Sequence, residues 1–301
     1  MIAVQQVLVI AMLIAVGFFL GKKKRFTQET GKQLSWLLIH IVTPMVIFKS
    51  FQMEYSPQRV LQLLETVGLA FLSFLIVIVF SFFYWGKGKN RKVERIAVSF
   101  SNVGFMGLPL VAGIYGEEGV LFASVMVMVF NVVYFTYGIT VIRGNFSLKE
   151  LGKILCSPTI LSVFVGILFF VLRIPVPEPI YSVVESLASL NTPLAMLVAG
   201  LSISRSNLKE VIQNPITYKM AVGKLFLAPL CTAAVFMLLP VAGLVREVIV
   251  LQVGCPTAAL VGISLMECGQ DNRRAVDYFA VTTLLSILTI PVVKLLCQSI
   301  F

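Results

Sequence analysis

Ten stretches of this chain contain no Asp, Glu, Lys or Arg: residues 1–21, 33–48, 66–86, 96–116, 119–142, 154–172, 186–204, 225–245, 248–266 and 278–293. Each is close to the ~20 residues with which a helix crosses ~30 Å of hydrocarbon. With 58% of its 301 residues hydrophobic and 13% charged, the chain lies far outside soluble composition. It reads as an all-α integral membrane protein of ten transmembrane helices in a lipid bilayer.

The basic residues set the expected orientation, because short loops rich in Lys and Arg stay cytoplasmic. With the N-terminus outside, eighteen of them fall on the inner side, including Lys22, Lys23, Lys24, Lys87, Lys89, Lys149, Lys153, Arg273 and Arg274, against five outside and Lys224 within a span. Both termini are therefore expected outside. The net charge of +10 is on this reading a topology signal, with no nucleic-acid partner implied. The first apolar stretch lacks a basic leader and a small-residue cleavage pattern, and reads as a retained helix. All-short loops and no targeting extension suggest a bacterial plasma membrane. The five cysteines are scattered without CxxC spacing and read as packing residues.

Two of the apolar stretches are interrupted by proline and glycine in a polar neighbourhood. Helix four contains Ser101, Asn102, Gly104, Gly107 and Pro109; helix nine contains Gln252, Gly254, Pro256 and Thr257. Backbone groups freed in a bilayer survive where they line a protein cavity or bind something, and paired breaks in corresponding positions mark a midplane site. Thr43-Pro44 in helix two is matched by Thr192-Pro193 in helix seven, and from those prolines the next break comes 65 residues on at Pro109 and 63 on at Pro256. Five helices per half force the second half to run upside down. The expected organisation is a first five-helix repeat over 1–142, a short cytoplasmic connection over 143–153 and an inverted second repeat over 154–301.

At these residues the chain resembles the auxin efflux carrier family, as a prokaryotic relative of the plant PIN carriers. The resemblance is carried by Asn102-Val103-Gly104-Phe105-Met106-Gly107-Leu108-Pro109, by Cys255-Pro256, and by the tail from Thr282-Thr283 to Thr289-Ile290-Pro291. It implies two inverted five-helix repeats whose broken helices four and nine cross. Helices one, two, six and seven would form a scaffold, with the others moving as an elevator-like transport domain. It also places Asn102 beside a substrate carboxylate. The chain departs from the plant proteins in having Ser101 where they have Pro and in lacking their long hydrophilic loop, so auxin specificity and kinase control do not carry over.

After each break a second half-helix starts near the midplane, expected at about Pro109 and Thr257. Helix N-termini present unpaired N–H groups and roughly half a positive charge, a ready anion site. Asn102 adds an amide donor without the cost of a buried charge. The substrate-binding set expected is Asn102, Gly104, Gly107, Pro109, Gly254, Pro256, Thr257 and, from the polar stripe of helix five, Asn131. Lys224 is read two ways, as a counter-charge or coupling group and as a residue snorkelling from a nearby helix end. His40, the only histidine, is either a proton-coupling group or a packed neutral ring, the latter favoured. Asp277 and Glu185 are candidate ion sites, with a solvated charge near a helix end favoured for both.

These features point to a secondary transporter of small organic anions such as mono- or dicarboxylates. It needs no cofactor, and coupling to protons, to sodium or to membrane potential alone is left open. The alternatives are a sodium-coupled symporter similar to the bile-acid symporters, and a channel or transport-dead sensor. An intramembrane enzyme is disfavoured because the chain has no HExxH, no GxSxG and no paired intramembrane aspartates, and one histidine supplies a metal poorly. A homodimer through the scaffold is expected by analogy alone.

Overall fold

The computed structural model describes residues 2–86, 91–145, 152 and 156–301. Lys87, Lys89, Lys149, Lys153 and most of the connection assigned to 143–153 lie outside the described residues. All regular structure among the described residues is helical, and seven helices are long and apolar enough to cross a membrane. Their apolar residues face both ways. On the first helix Val4, Leu8, Met12, Val16 and Phe19 are exposed at helical spacing, while Val7, Ile10 and Ile14 on the opposite side are buried. Such an all-apolar helix is stable only with hydrocarbon on its outer side.

Helix α1 (Ile2–Lys22) packs most extensively against α10 (Asn191–Ser204). Glycines permit the approach: a Cβ on Gly17 would lie 2.3 Å from the Leu197 carbonyl oxygen, and one on Gly200 would lie 2.0 Å from that of Ile14. Small residues at such contacts let helix backbones meet and replace the hydrophobic drive that lipid removes. Helix α2 (Gln28–Leu37) continues through a widened turn at Leu38–Val42 into α3 (Thr43–Ser50), which packs on α8 (Pro158–Leu172) and α9 (Glu178–Ser189). The widening has a local cause in Pro44, which has no N–H and would clash with the carbonyl four residues back. Another widened turn, at Gly223–Leu227, precedes Pro229.

Two sequence-based boundaries need correction. The charge-free rule started the eighth span at 225 because Lys224 is charged; the helix instead runs over Pro215–Phe236, as α12 (Pro215–Val222), the widened turn and α13 (Ala228–Phe236), with Lys224 in its middle. In the first break the helix restarts at Val103, six residues before Pro109, and in the second it restarts at Ala259, two after Thr257. Helix α4 covers Pro57–Trp85. The 41-residue run Val103–Arg143 would reach ~60 Å if straight. Gly116, at φ 66° and ψ −160°, turns it within α6 (Leu108–Val133), a conformation that suits glycine.

On one face Lys49, at the end of α3, reaches Glu117 beyond that turn at 2.9 Å and Glu185 of α9 at 3.0 Å. Glu185 is thus an exposed, paired charge.

Candidate functional site at the paired breaks

Helix α5 (Lys92–Ser99) stops before residues 100–102, and α14 (Gly243–Val253) stops before 254–258. The two interruptions pair with one another. Ser101 and Thr257 form an antiparallel bridge in which Asn102 N–H donates to the Pro256 carbonyl at 2.7 Å and Ala258 N–H donates to that of Phe100 at 2.9 Å. These two bonds pair four of the backbone groups that the breaks expose, as a bilayer demands. Side chains take up more: Thr257 Oγ1 donates to Ala97 O at 3.0 Å, Ser101 Oγ to Val253 O at 2.9 Å, and Thr257 N–H donates to Thr282 Oγ1 at 3.1 Å.

The groups left over lie on one side. Where the chain turns helical again at Val103–Gly107 and at α15 (Ala259–Glu267), the N–H groups of Gly104, Phe105, Ala259 and Leu260 find no acceptor outside the helices among the described residues. Asn102 caps the first of these segments without a side-chain bond to it, and its amide makes no hydrogen bond to a described residue although it is only 7% exposed. A cavity of about 210 Å³ opens there, lined by both restarts, by Asn131 and Phe130 from α6, by His40 and Thr43, and by Ser157 to Thr159 at the start of α8. Thr43 Oγ1 is buried without a partner among the described residues. Among the described residues the lining contains no Lys, Arg, Asp or Glu, and Phe105, Phe130, Phe135, Leu260 and Ile263 make most of it apolar.

The sequence-derived residues therefore divide. Asn102, Gly104, Asn131 and His40 line the cavity. A Cβ on Gly104 would meet nothing within 4 Å, so that position faces open space. Asn131 Nδ2 donates to Val127 O at 2.8 Å, and its carbonyl oxygen accepts from no described residue. His40 stacks on Trp36 with centroids 4.8 Å apart, and its Nδ1 lies 3.0 Å from Trp36 O. Pro256 and Thr257 are buried in the bridge that supports the site, and Gly254 precedes it. Gly107 and Pro109 are buried in the restarted segment, Gly107 so close to Gln252 that a Cβ would lie 3.0 Å from its Nε2. Lys224 is fully buried and donates to Val98 O at 2.9 Å and Ser101 Oγ at 2.6 Å, which excludes snorkelling here. Asp277, half-buried in the second turn of α16 (Arg273–Ile300), stands away from the cavity lining.

Sequence reasoning missed the aromatic wall and the hub role of Ser101. Phe100, Phe130 and Tyr134 form a ring cluster behind the first break, with Tyr134 OH donating to Leu260 O at 3.1 Å. The available signal was Ser101 itself, a hydroxyl standing where the related carriers have a proline.

A multi-span helical membrane protein with a donor-bearing cavity at two paired helix breaks has room for a small solute among its helices. The chain belongs to the family of membrane transport proteins, which it matches over residues 2–294, as the auxin efflux carrier resemblance implied. It is a transporter and not an enzyme. An uncharacterized transporter of Methanocaldococcus jannaschii is 25% identical over 307 residues, covering 96% of this chain and 97% of its own. A second uncharacterized transporter, from Methanothermobacter thermautotrophicus, is 21% identical over 295 residues, with 95% and 96% covered. A Rhizobium meliloti protein provisionally named a malonate transporter is 24% identical over 299 residues, with 92% and 90% covered.

Proposed function

We propose that this protein is a secondary, elevator-like carrier of small organic anions, with the substrate carboxylate held by the Asn102 amide and the free N–H groups of Gly104 and Phe105. The observation that carries this reading is an amide, nine-tenths buried and without a partner among the described residues, beside the unpaired start of a half-helix in a cavity whose described lining carries no charge. Neutral donors and a helix dipole bind one carboxylate without a buried cation that would be left uncompensated when the site is empty. The relative named for malonate carries an organic acid in its name, in keeping with that class.

On this reading the chain crosses the membrane ten times as two inverted five-helix repeats. The seven long apolar helices, the turn at Gly116, the shorter α8 and the two half-helix pairs supply the segments for it. With both termini outside, the cavity lies on the cytoplasmic side of the breaks, so the structure corresponds to an inward-open carrier in a bacterial plasma membrane. The α1–α10 and α3–α8 pairs serve as scaffold, and their exposed apolar faces offer a homodimer contact. His40 at the cavity wall is the candidate proton-coupling group.

The test is uptake of labelled mono- and dicarboxylates into proteoliposomes under imposed proton, sodium or potential gradients, followed by counterflow. A carrier shows saturable uptake and trans-acceleration. A pore shows no trans-acceleration, and a sensor binds without flux.

A further inference from the structure

We propose that the cavity where α3, α8 and α9 meet binds the headgroup of a zwitterionic phospholipid with a primary amine, its phosphate on Arg173 and its ammonium on Glu54. This cavity shares no residue with the one at the helix breaks, and the inference does not depend on which solute is carried.

The cavity holds about 650 Å³ and is bounded by the segment from Phe51 to Tyr55 after α3, by Arg173 to Val176 after α8 and by Tyr181 near the start of α9. These segments lie within a few residues of the ends of apolar helices, the depth at which headgroups sit in a bilayer. The charged residues of its lining are Glu54 and Arg173. Opposite charges in one cavity should attract, yet neither forms an ion pair with a described residue. Arg173 instead lies over the Tyr55 ring, its Cζ 4.3 Å from the centroid, and that ring packs on Phe170 at 5.5 Å. That contact supplies no oxygen acceptor, so the guanidinium fork remains for a phosphate and the carboxylate for an ammonium.

The backbone singles out Arg173 independently. It ends α8 at φ 55° and ψ 40°, the left-handed conformation that favours glycine and strains any residue with a Cβ. An arginine at such a place points to a use for its side chain. Apolar surface for acyl chains adjoins the cavity: Leu168 and Leu172 near the end of α8, Ile174 just beyond it, and Ile180 and Val183 on α9 are exposed. A soluble zwitterion would use the two charges but not that surface, and an anionic lipid would meet Glu54 with nothing to offset it.

The experiment takes the delipidated full-length protein in detergent and measures binding of dioctanoyl phosphatidylethanolamine, phosphatidylcholine and phosphatidylglycerol, and of soluble glycerophosphoethanolamine, by native mass spectrometry and by the shift in thermal unfolding. Wild type is expected to bind phosphatidylethanolamine saturably, with a rise in melting temperature, at least ~10-fold more tightly than phosphatidylglycerol or the soluble headgroup. It should also prefer it several-fold to phosphatidylcholine, whose quaternary amine has no N–H to donate. Arg173→Gly suits the left-handed backbone, so without lipid it should melt no lower than wild type, while binding phosphatidylethanolamine about 10-fold more weakly. Glu54→Gln should bring phosphatidylethanolamine and phosphatidylglycerol to equal affinity. Undiminished binding by Arg173→Gly would overturn the proposal. Equal wild-type affinity for the three lipids would overturn it as well, and that comparison needs no variant. A soluble headgroup bound as tightly as the lipid would replace the lipid with a free zwitterion, and a dimer that buries Arg173 and takes up no lipid would give the cavity to a second copy; either result overturns it.

Discussion

The two helix breaks occupy matching places and pair with each other, yet they do different jobs. The first exposes an amide and two free N–H groups to the cavity, with a buried lysine behind it. The second contributes mostly apolar side chains and the N–H groups of Ala259 and Leu260, and its other polar groups are taken up in support: Thr257 bonds to Ala97 and Thr282, and the Pro256 carbonyl accepts from Asn102. On the proposed reading a crossing of this kind separates recognition from rigidity. The first break presents an amide that has no partner among the described residues, while the bridge to the second holds the backbone around it.

Substitutions can break that division. The largest effect is expected at Asn102→Ala. Its side chain bonds to no described residue, so the melting temperature should stay within a few degrees. Transport should fall roughly 10- to 100-fold, the worth of a hydrogen bond to a charged group. Uptake kinetics and a melting curve on the same preparation check both halves; a large loss of stability would place Asn102 among the supporting residues instead.

Next are the glycines that flank the breaks. Gly107→Ala should lower both stability and uptake several-fold, because its Cβ would press on Gln252, which is itself buried and donates to Val103 O at 3.4 Å. Gly254→Ala should be nearly silent, since its φ is −73° and the nearest neighbours of a Cβ lie at 3.4 Å. Equal effects at the two would erase the asymmetry.

Thr257→Val removes one supporting bond at about 1 kcal/mol. The melting temperature should drop by about 2–4 °C with half-saturation for substrate unchanged, and an altered half-saturation would assign Thr257 to the binding surface. The smallest change is expected for Gly104→Ala. Its Cβ enters open space, and replacing glycine in a helical segment is favourable by roughly 0.5–1 kcal/mol. Thermal stability should therefore hold or rise slightly, while competition by the bulkiest substrates weakens.

Much of this was legible in the sequence because lipid makes strong demands on it. Runs of apolar residues give the spans, and proline and glycine in polar company at 101–109 and 252–257 locate the breaks. What escaped was whatever depends on contacts between the halves. A rule that ends a span at every charge starts the eighth charge-free stretch at 225, just past Lys224, when the charge is tolerated mid-helix only because Val98 O and Ser101 Oγ, about 125 residues away, receive it. Likewise the restart at Val103 precedes Pro109 because the Ser101–Thr257 bridge, and not the proline, ends the extended segment. Gly104 and Asn102 could be picked as facing a site by residue type alone; Phe105 and Phe130 could not, since apolar side chains in an apolar chain carry no such mark.

Under the proposed function, transported anions occupy the cavity at the first restart. Gly104→Cys, in a background with the five native cysteines replaced, places a thiol in that open space. Its alkylation by a small maleimide should be slowed by carboxylates that the protein carries, with half-protection at the concentration that half-saturates uptake, while anions that are not carried have no effect. Alkylation at the same rate with and without every transported anion would put the substrate elsewhere.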